Sequence, residues 1–481
     1  MSITIRQSDI SDVQKQDIIK HLFLVPKSYN HIKGEYDYGE PITLYQPVGE
    51  KLVIPFAYGG VITGAYSGND KYPRKSMADF EYKLQLYPKQ IKVAEVALDI
   101  LNKHRTVTLN LYTGFGKTQM FIYLSTILKK MTLILTHQDH LAKQIYNSLK
   151  DVVPESKIWY VGEDKKPPEH PDFILCMDGR FGYIPDNIRM NIGTLVVDEA
   201  HLMFTGSRLP IYLRVFPNYI ILCTATKDRK DIFDDVMKLI AGDNVIEVKN
   251  PKSYTVYKYN TGIKVPIINR KIYNREMLDW DKTVKWLKDQ DARNQLIMNK
   301  TKEMIDLGHK VIVVARLVEH VTHLFNMAKE IGLRCDWLAK TKRIYSDSQV
   351  LFGGIKKIGT GFDEKSLCDD FDGIRSDVLI ICDTIKKMPT FIQLIGRVMR
   401  ADNPIIIEII DNHNVITNHF KEHMKYYKHS NAVVHVIGEP DPPAGQRGRK
   451  KAKNKDEEKQ EQDQQKSVDD HVLSMLNALK S

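Results

Sequence analysis

Runs of consecutive apolar and β-branched residues recur at 106–111, 132–136, 173–177, 194–198 and 219–224, and again at 310–315, 349–352, 378–383 and 405–410. The stretches between them space their apolar residues at helical intervals. Unbroken apolar runs mark strands buried on both faces, as in a parallel sheet covered by helices. Two such alternating series predict two α/β domains in tandem. The boundaries fall at 1–78 for an N-terminal accessory region, 79–245 for the first domain, 246–275 for a linker rich in Pro, Lys and Tyr, 276–439 for the second domain and 440–481 for a tail.

The flanks are patterned differently. Residues 45–58 hold two candidate strands around Val48, Gly49 and Glu50, and 71–75 form a basic stretch, so the first region reads as small and β-containing. Beyond Pro440, residues 447–455 carry six basic residues and no acids, and 456–470 are acidic and Gln-rich. That composition buries too little apolar surface to fold, so the charged tail is expected to be disordered. Its end sets Val468, Val472, Met475, Leu476 and Leu479 on one helical face, with Ser467 and Asp470 spaced as a capping box. Such a helix either docks on a partner or packs back on its own chain.

A length of 481 residues suits two to three domains, and 42% hydrophobic with 27% charged residues is ordinary globular composition. No long apolar run suggests a signal peptide or spanning helix, so no membrane partner is expected. The five cysteines are scattered and never spaced CxxC, which argues against zinc and iron–sulfur sites. His137 and His140 lack a partnered Cys or carboxylate set and read as polar residues rather than metal ligands. The net charge of +10 lies in the body, because the tail from Asp441 carries nine Lys/Arg against eight Asp/Glu. A basic body is compatible with a nucleic-acid track.

Candidate chemistry sits where strands end. The stretch LYTGFGKT, Leu111 to Thr118, follows the 106–111 run and precedes a helical one, the setting in which a glycine-rich loop cradles nucleotide phosphates. Thr113, Gly114, Phe115 and Gly116 form the loop. Lys117 supplies a charge for the β- and γ-phosphates, and Thr118 a hydroxyl for Mg²⁺. The run 194–198 ends in Asp198 and Glu199, at the strand tip where parallel sheets place ligands. Asp198 is positioned to hold Mg²⁺, and Glu199 to orient and deprotonate the attacking water. In the second domain Gln393, Arg397 and Arg400 recur on one helical face, able to aim cations at a phosphate.

GxGKT, DEAH, Thr224-Ala225-Thr226 and QxxGRxxR, in that order over about residues 80–430, resemble a superfamily-2 helicase of DEAH type. The resemblance implies two RecA-like domains with ATP held between them. It implies adenine reading by Tyr87 and Gln90, and coupling of hydrolysis to strand movement through His201, Thr224, Ala225 and Thr226. It places Asp363 near the ribose and nucleic-acid contacts in 136–144, including Thr136, His137 and Gln144, and at Gly359 and Thr360. Arg316 is a further candidate contact. Leu111 replaces the first loop glycine, Tyr112 the common proline, and Gly353-Gly354 stands where an upstream threonine is usual.

Length, the loop YTGFGKT, the helix QLIGRVMR and the charged tail are most similar to the poxvirus transcript-release helicases. That likeness implies an ATP-dependent DNA helicase with 3′ to 5′ polarity, acting on single-stranded DNA and freeing nascent RNA with the viral RNA polymerase elongation complex and its elongation factors. It also implies location in the host cytoplasm and the virion core. Three rivals stand beside it: an RNA helicase, a duplex-DNA translocase that remodels protein complexes without strand separation, and a catalytically silent scaffold.

Overall fold

A computed structural model describes residues 1–30, 35–64, 77, 81–206, 208–209, 213–224, 232–272, 275–359 and 362–438. The basic stretch 71–75, Ala225, Thr226, Thr360 and the tail with its terminal helix lie outside the described residues. The chain passes from one compact unit to a second at Glu247–Val248.

The first unit is built on a seven-stranded sheet of β1 (Thr106–Leu111), β2 (Thr132–Thr136), β3 (Ile158–Tyr160), β4 (Phe173–Met177), β5 (Thr194–Val197), β6 (Tyr219–Thr224) and β7 (Val245–Val248). The order is β3-β4-β2-β5-β6-β1-β7. Strands β1 to β6 pair in parallel. β2 and β5 are buried along their whole length, which is why they read as unbroken apolar runs. The helix Asp139–Val152 turns Ala142, Ile145, Leu149 and Val152 inward at spacings of three and four, and leaves its other face polar.

The second unit repeats the plan. Its strands are β8 (Tyr254–Lys264), β9 (Val311–Ala315), β10 (Cys335–Leu338), β11 (Val350–Gly354), β12 (Val378–Ile381), β13 (Ile405–Asn412) and β14 (Ala432–Ile437), in the order β10-β11-β9-β12-β13-β8-β14. Position for position this is the first sheet's order. All six of its pairings are parallel. Two tandem RecA-like sheets, as expected from the sequence, are therefore present.

Two expectations need correction. The linker segment, expected to connect the domains with room for strands of its own, instead supplies residues 254–264 as β8, hydrogen-bonded between β13 and β14 inside the second sheet. The strand was hidden because Tyr254, Val256, Lys258 and Asn260 alternate with half-buried residues, so no apolar run appears. The N-terminal residues are also less separate than an accessory region. Strands Ser2–Arg6, Lys51–Pro55 and Gln46–Val48 form a three-stranded sheet, but 56–58, read as strand, begin the helix Phe56–Thr63. Ile3, Ile54 and Phe56 share one core with Leu133, Leu195, Val236 and Ile240 of the first unit. No helix among the described residues is long and apolar enough to cross a membrane.

Candidate nucleotide and nucleic-acid site

The phosphate loop leaves the buried end of β1 and enters the helix Lys117–Leu128. Gly114 and Gly116 have φ of +90° and +97°, a region that admits glycine without strain. A Cβ on Gly116 would lie 2.5 Å from Gln90 Nε2. Gln90, expected to read adenine, is buried and braces the loop: its Nε2 donates to the Phe115 carbonyl at 2.9 Å, and its Oε1 accepts the Tyr87 N–H at 2.9 Å. Tyr87 keeps 67% of its surface exposed beside this brace, as an open ring. Lys117 lies 3.4 Å from the Leu111 carbonyl, at a helix start whose N–H groups favour anions.

Asp198 follows β5 and is 7% exposed. Burial, then the neighbouring Glu199 carboxylate, push its carboxyl well above the usual range, with Lys117 pulling the other way. A buried acid under that stress suits a divalent cation. The described residues contain no group of three or more His, Cys, Asp or Glu that could hold a metal by themselves. Mg²⁺ is commonly held by one or two protein oxygens plus substrate phosphates, so Thr118 and Asp198 fit it together with a nucleotide.

Glu199 takes φ +48°, an uncommon conformation for a residue with a side chain and one that often marks working sites. The turn brings its carboxylate 3.3 Å from His201 Nδ1. The same ring nitrogen lies 3.0 Å from Thr224 Oγ1 at the end of β6. His201 therefore joins the Glu199 carboxylate to Thr224. His137 is turned toward Glu199, Arg208 and His201, and burial lowers it to about 4 against the pull of Glu199, so it is neutral near pH 7.

In the second unit the two arginines separate. Arg397 was expected to aim at phosphate. Instead it is 9% exposed and donates to the carbonyls of Phe362 at 2.7 Å and Gly359 at 2.6 Å. Those bonds tie Arg397 to the backbone at Gly359 and at Phe362. Arg400, one turn on, is partly exposed and pairs with Asp363. Asp363 also accepts from Arg375 at 2.9 Å, so a ribose would compete with two guanidinium groups for it. Gln393, on the same helix as Arg397, is buried. The glycine pair has a packing cause: a Cβ on Gly353 would lie 2.3 Å from Ile358 Cγ1.

The nucleic-acid candidates divide as well. Thr136 is fully buried at the end of β2, so its side chain cannot meet a strand. Gln144 is half-buried on the helix Asp139–Val152, and Gly359 is held from behind by Arg397. Arg316 stands just past β9 with its side chain 47% exposed, paired to Asp281 at 3.6 Å. Motif spacing missed its neighbours. Lys340 and Arg343 follow β10, Lys356 and Lys357 follow β11, and Lys386 and Lys387 follow β12. β11 and β12 flank β9, and β10 lies next beyond β11, so the C-terminal edge of the sheet carries a row of cations. Among the described residues none of those six is in an ion pair. Clusters of Lys and Arg at one edge neutralise phosphates.

Comparison with known proteins agrees with this arrangement. Residues 87–234 match the sequence pattern of the DEAD/DEAH box helicase family. A protein of Invertebrate iridescent virus 6, a helicase by name, is 27% identical over 82% of this chain and 92% of its own. Transcript termination protein A18 of myxoma virus is 24% identical over 66% of this chain and 71% of its own. Among solved structures, S. cerevisiae Dbp5 bound to RNA and ADP BeF3 superposes with a TM-score of 0.51 at 14% identity, covering 73% of this chain and 94% of that one. Residues 87–234 thus carry a DEAD/DEAH box helicase domain, set within a tandem RecA-like fold.

Proposed function

We propose that the protein uses ATP hydrolysis to move along DNA, 3′ to 5′, and thereby frees nascent RNA from a viral transcription complex. The observation that carries the motor reading is the chain of contacts Glu199–His201–Thr224. A carboxylate placed to take a proton from water is wired through one imidazole to a strand end. Nδ1 faces both Glu199 and Thr224, so in the tautomer that carries a proton there the two share it. As Glu199 takes up the proton its hold on the imidazole weakens, and the bond to Thr224 gains. That is a direct route from chemistry to backbone movement. Lys117 neutralises phosphate charge, Arg400 is the cation the second unit offers, and Thr118 and Asp198 would hold Mg²⁺, which screens the phosphates when bound.

Transcript release is supported by likeness to the termination proteins over two thirds of the chain. Host cytoplasm and virion core are proposed with it. The cation row grips phosphates rather than base edges, so binding is salt-dependent and tolerant of sequence. The test is ATPase activity with single-stranded DNA, duplex DNA and RNA side by side, then release of RNA from a stalled elongation complex. Stimulation by DNA with release supports the reading. Stimulation by RNA alone replaces it with the second reading, an RNA helicase, which is favoured by a mimivirus relative named as an ATP-dependent RNA helicase, 23% identical over 84% of this chain.

A further inference from the structure

Beneath the cation row lies a set of charges that no motif contains. Arg293, on the helix Asp291–Asp306, is 0% exposed. Its Nε donates to Asp411 at 3.0 and 3.2 Å, one Nη donates to the Cys382 carbonyl, and Nη2 is 4.0 Å from Asp383 Oδ1. The other oxygen of Asp383 accepts the Arg316 N–H at 2.7 Å. Asp411 also accepts the Thr261 hydroxyl at 2.8 Å. Asp383 and Asp411 are 4% and 1% exposed, at the C-terminal ends of β12 and β13. Burial opposes ionisation of Asp383, yet His320, Arg293 and the Arg316 N–H outweigh it and hold the carboxyl below its usual range.

Buried ion clusters are poor stabilisers compared with apolar packing of the same volume, and where they persist they often fix one geometry. Here the geometry fixed is that of Arg316. Its backbone is held by Asp383 while its side chain stands half exposed in the middle of the cation row. We propose that Arg293, Asp383 and Asp411 are positioning residues for nucleic-acid binding, a buried charge lattice that sets the turn carrying Arg316. The proposal rests on the reading that this edge grips phosphates.

The experiment measures ATPase stimulation of the full chain by single-stranded oligonucleotide, across salt concentrations. In Asp383→Asn the amide has one acceptor where the carboxylate had two, so a donor faces either Arg316 N–H or Arg293. The substitution also removes a negative charge, so electrostatics alone would tighten binding. Positioning requires the reverse: half-saturation rises about tenfold, the worth of one charged hydrogen bond, and more than the plateau rate falls. Arg316→Ala weakens binding and lowers the salt slope by about one. The double variant is then no weaker than the worse single. Should Asp383→Asn not fold, the isosteric Thr261→Val, at the lattice rim, shifts half-saturation in the same direction. Tighter or unchanged half-saturation in the lattice variants, with Arg316→Ala still weakened, overturns the lattice. Unchanged binding and slope in Arg316→Ala overturns the reading of the edge itself.

Discussion

Arg397 and Arg400 sit three residues apart on one helix and should fail in opposite ways. The buried guanidinium of Arg397 makes two short hydrogen bonds to the carbonyls of Gly359 and Phe362. At about 1.5–3 kcal/mol for each charged bond, Arg397→Ala forfeits about 3–6 kcal/mol. For a unit of this size that lowers the melting temperature by roughly 10 °C or more. Arg400 is partly exposed and ion-paired, so its removal costs about 0–1 kcal/mol. A cation offered to a transferring phosphoryl group is worth on the order of 10³ or more in rate. Arg400→Ala therefore melts near the wild-type temperature, retains nucleotide binding and loses turnover, whereas Arg397→Ala loses stability first. Calorimetry, a nucleotide-binding titration and steady-state ATPase on both variants separate the two. An Arg397→Ala protein that melts with the wild type yet has lost hydrolysis would refute the assignment.

Other outcomes follow from the same geometry. Lys117→Ala loses nucleotide affinity, while Glu199→Gln binds ATP and hardly turns over; wild-type ATPase in either removes that residue from the chemistry. Gly353→Ala forces a Cβ against Ile358 and costs about 1–3 kcal/mol in denaturant titration; an unshifted midpoint would mean the helix Ile355–Gly359 gives way freely. His423 has a Glu408 carboxylate 2.8 Å from Nδ1 and the Ile385 carbonyl 2.8 Å from Nε2, two acceptors that call for a doubly protonated ring. Burial works against that charge, but Glu408 prevails and raises the group above its ordinary value. A raised value means the stabilisation is complete below about pH 6.5 and is lost as pH rises through the folded-state value. Melting temperature should fall over that interval, and His423→Gln should flatten the profile; a profile unchanged by the substitution would place the titration elsewhere.

The strands that were legible in the sequence are those buried on both faces. Thr106–Leu111, Thr132–Thr136, Phe173–Met177 and Tyr219–Thr224 stand where their apolar runs begin and end. A strand with helices over both faces has no polar side, so composition alone marks it. Strands that share a face with polar or half-open surroundings left no such mark. β8 alternates and carries Lys258 and Asn260 on its buried side, and β14 lies at the sheet edge with Val433 and Val436 exposed. The first sheet's edge strand Ile158–Tyr160 is too short to register. The repeat of one strand order in both units was invisible for the same reason, since the elements that complete it are those least apolar.

Within the site, spacing located residues but not their partners. A glycine pair at +90° and +97°, an acidic pair at a strand tip and a helix face bearing Gln393, Arg397 and Arg400 all follow from local sequence, because local geometry alone sets them. What each side chain touches depends on elements far along the chain. Gln90 reaches a carbonyl 25 residues on and Arg397 one 38 residues back, so both brace backbone that spacing alone could not identify. The same holds for Arg293, which lies 118 residues from Asp411 and in no recognisable motif. Its signal was a lone arginine among the inward positions of an amphipathic helix, a place where a cation survives only if acids wait for it on other strands. A buried charge of that kind tells that partners exist; only the fold tells that they lie under the edge where phosphates would run.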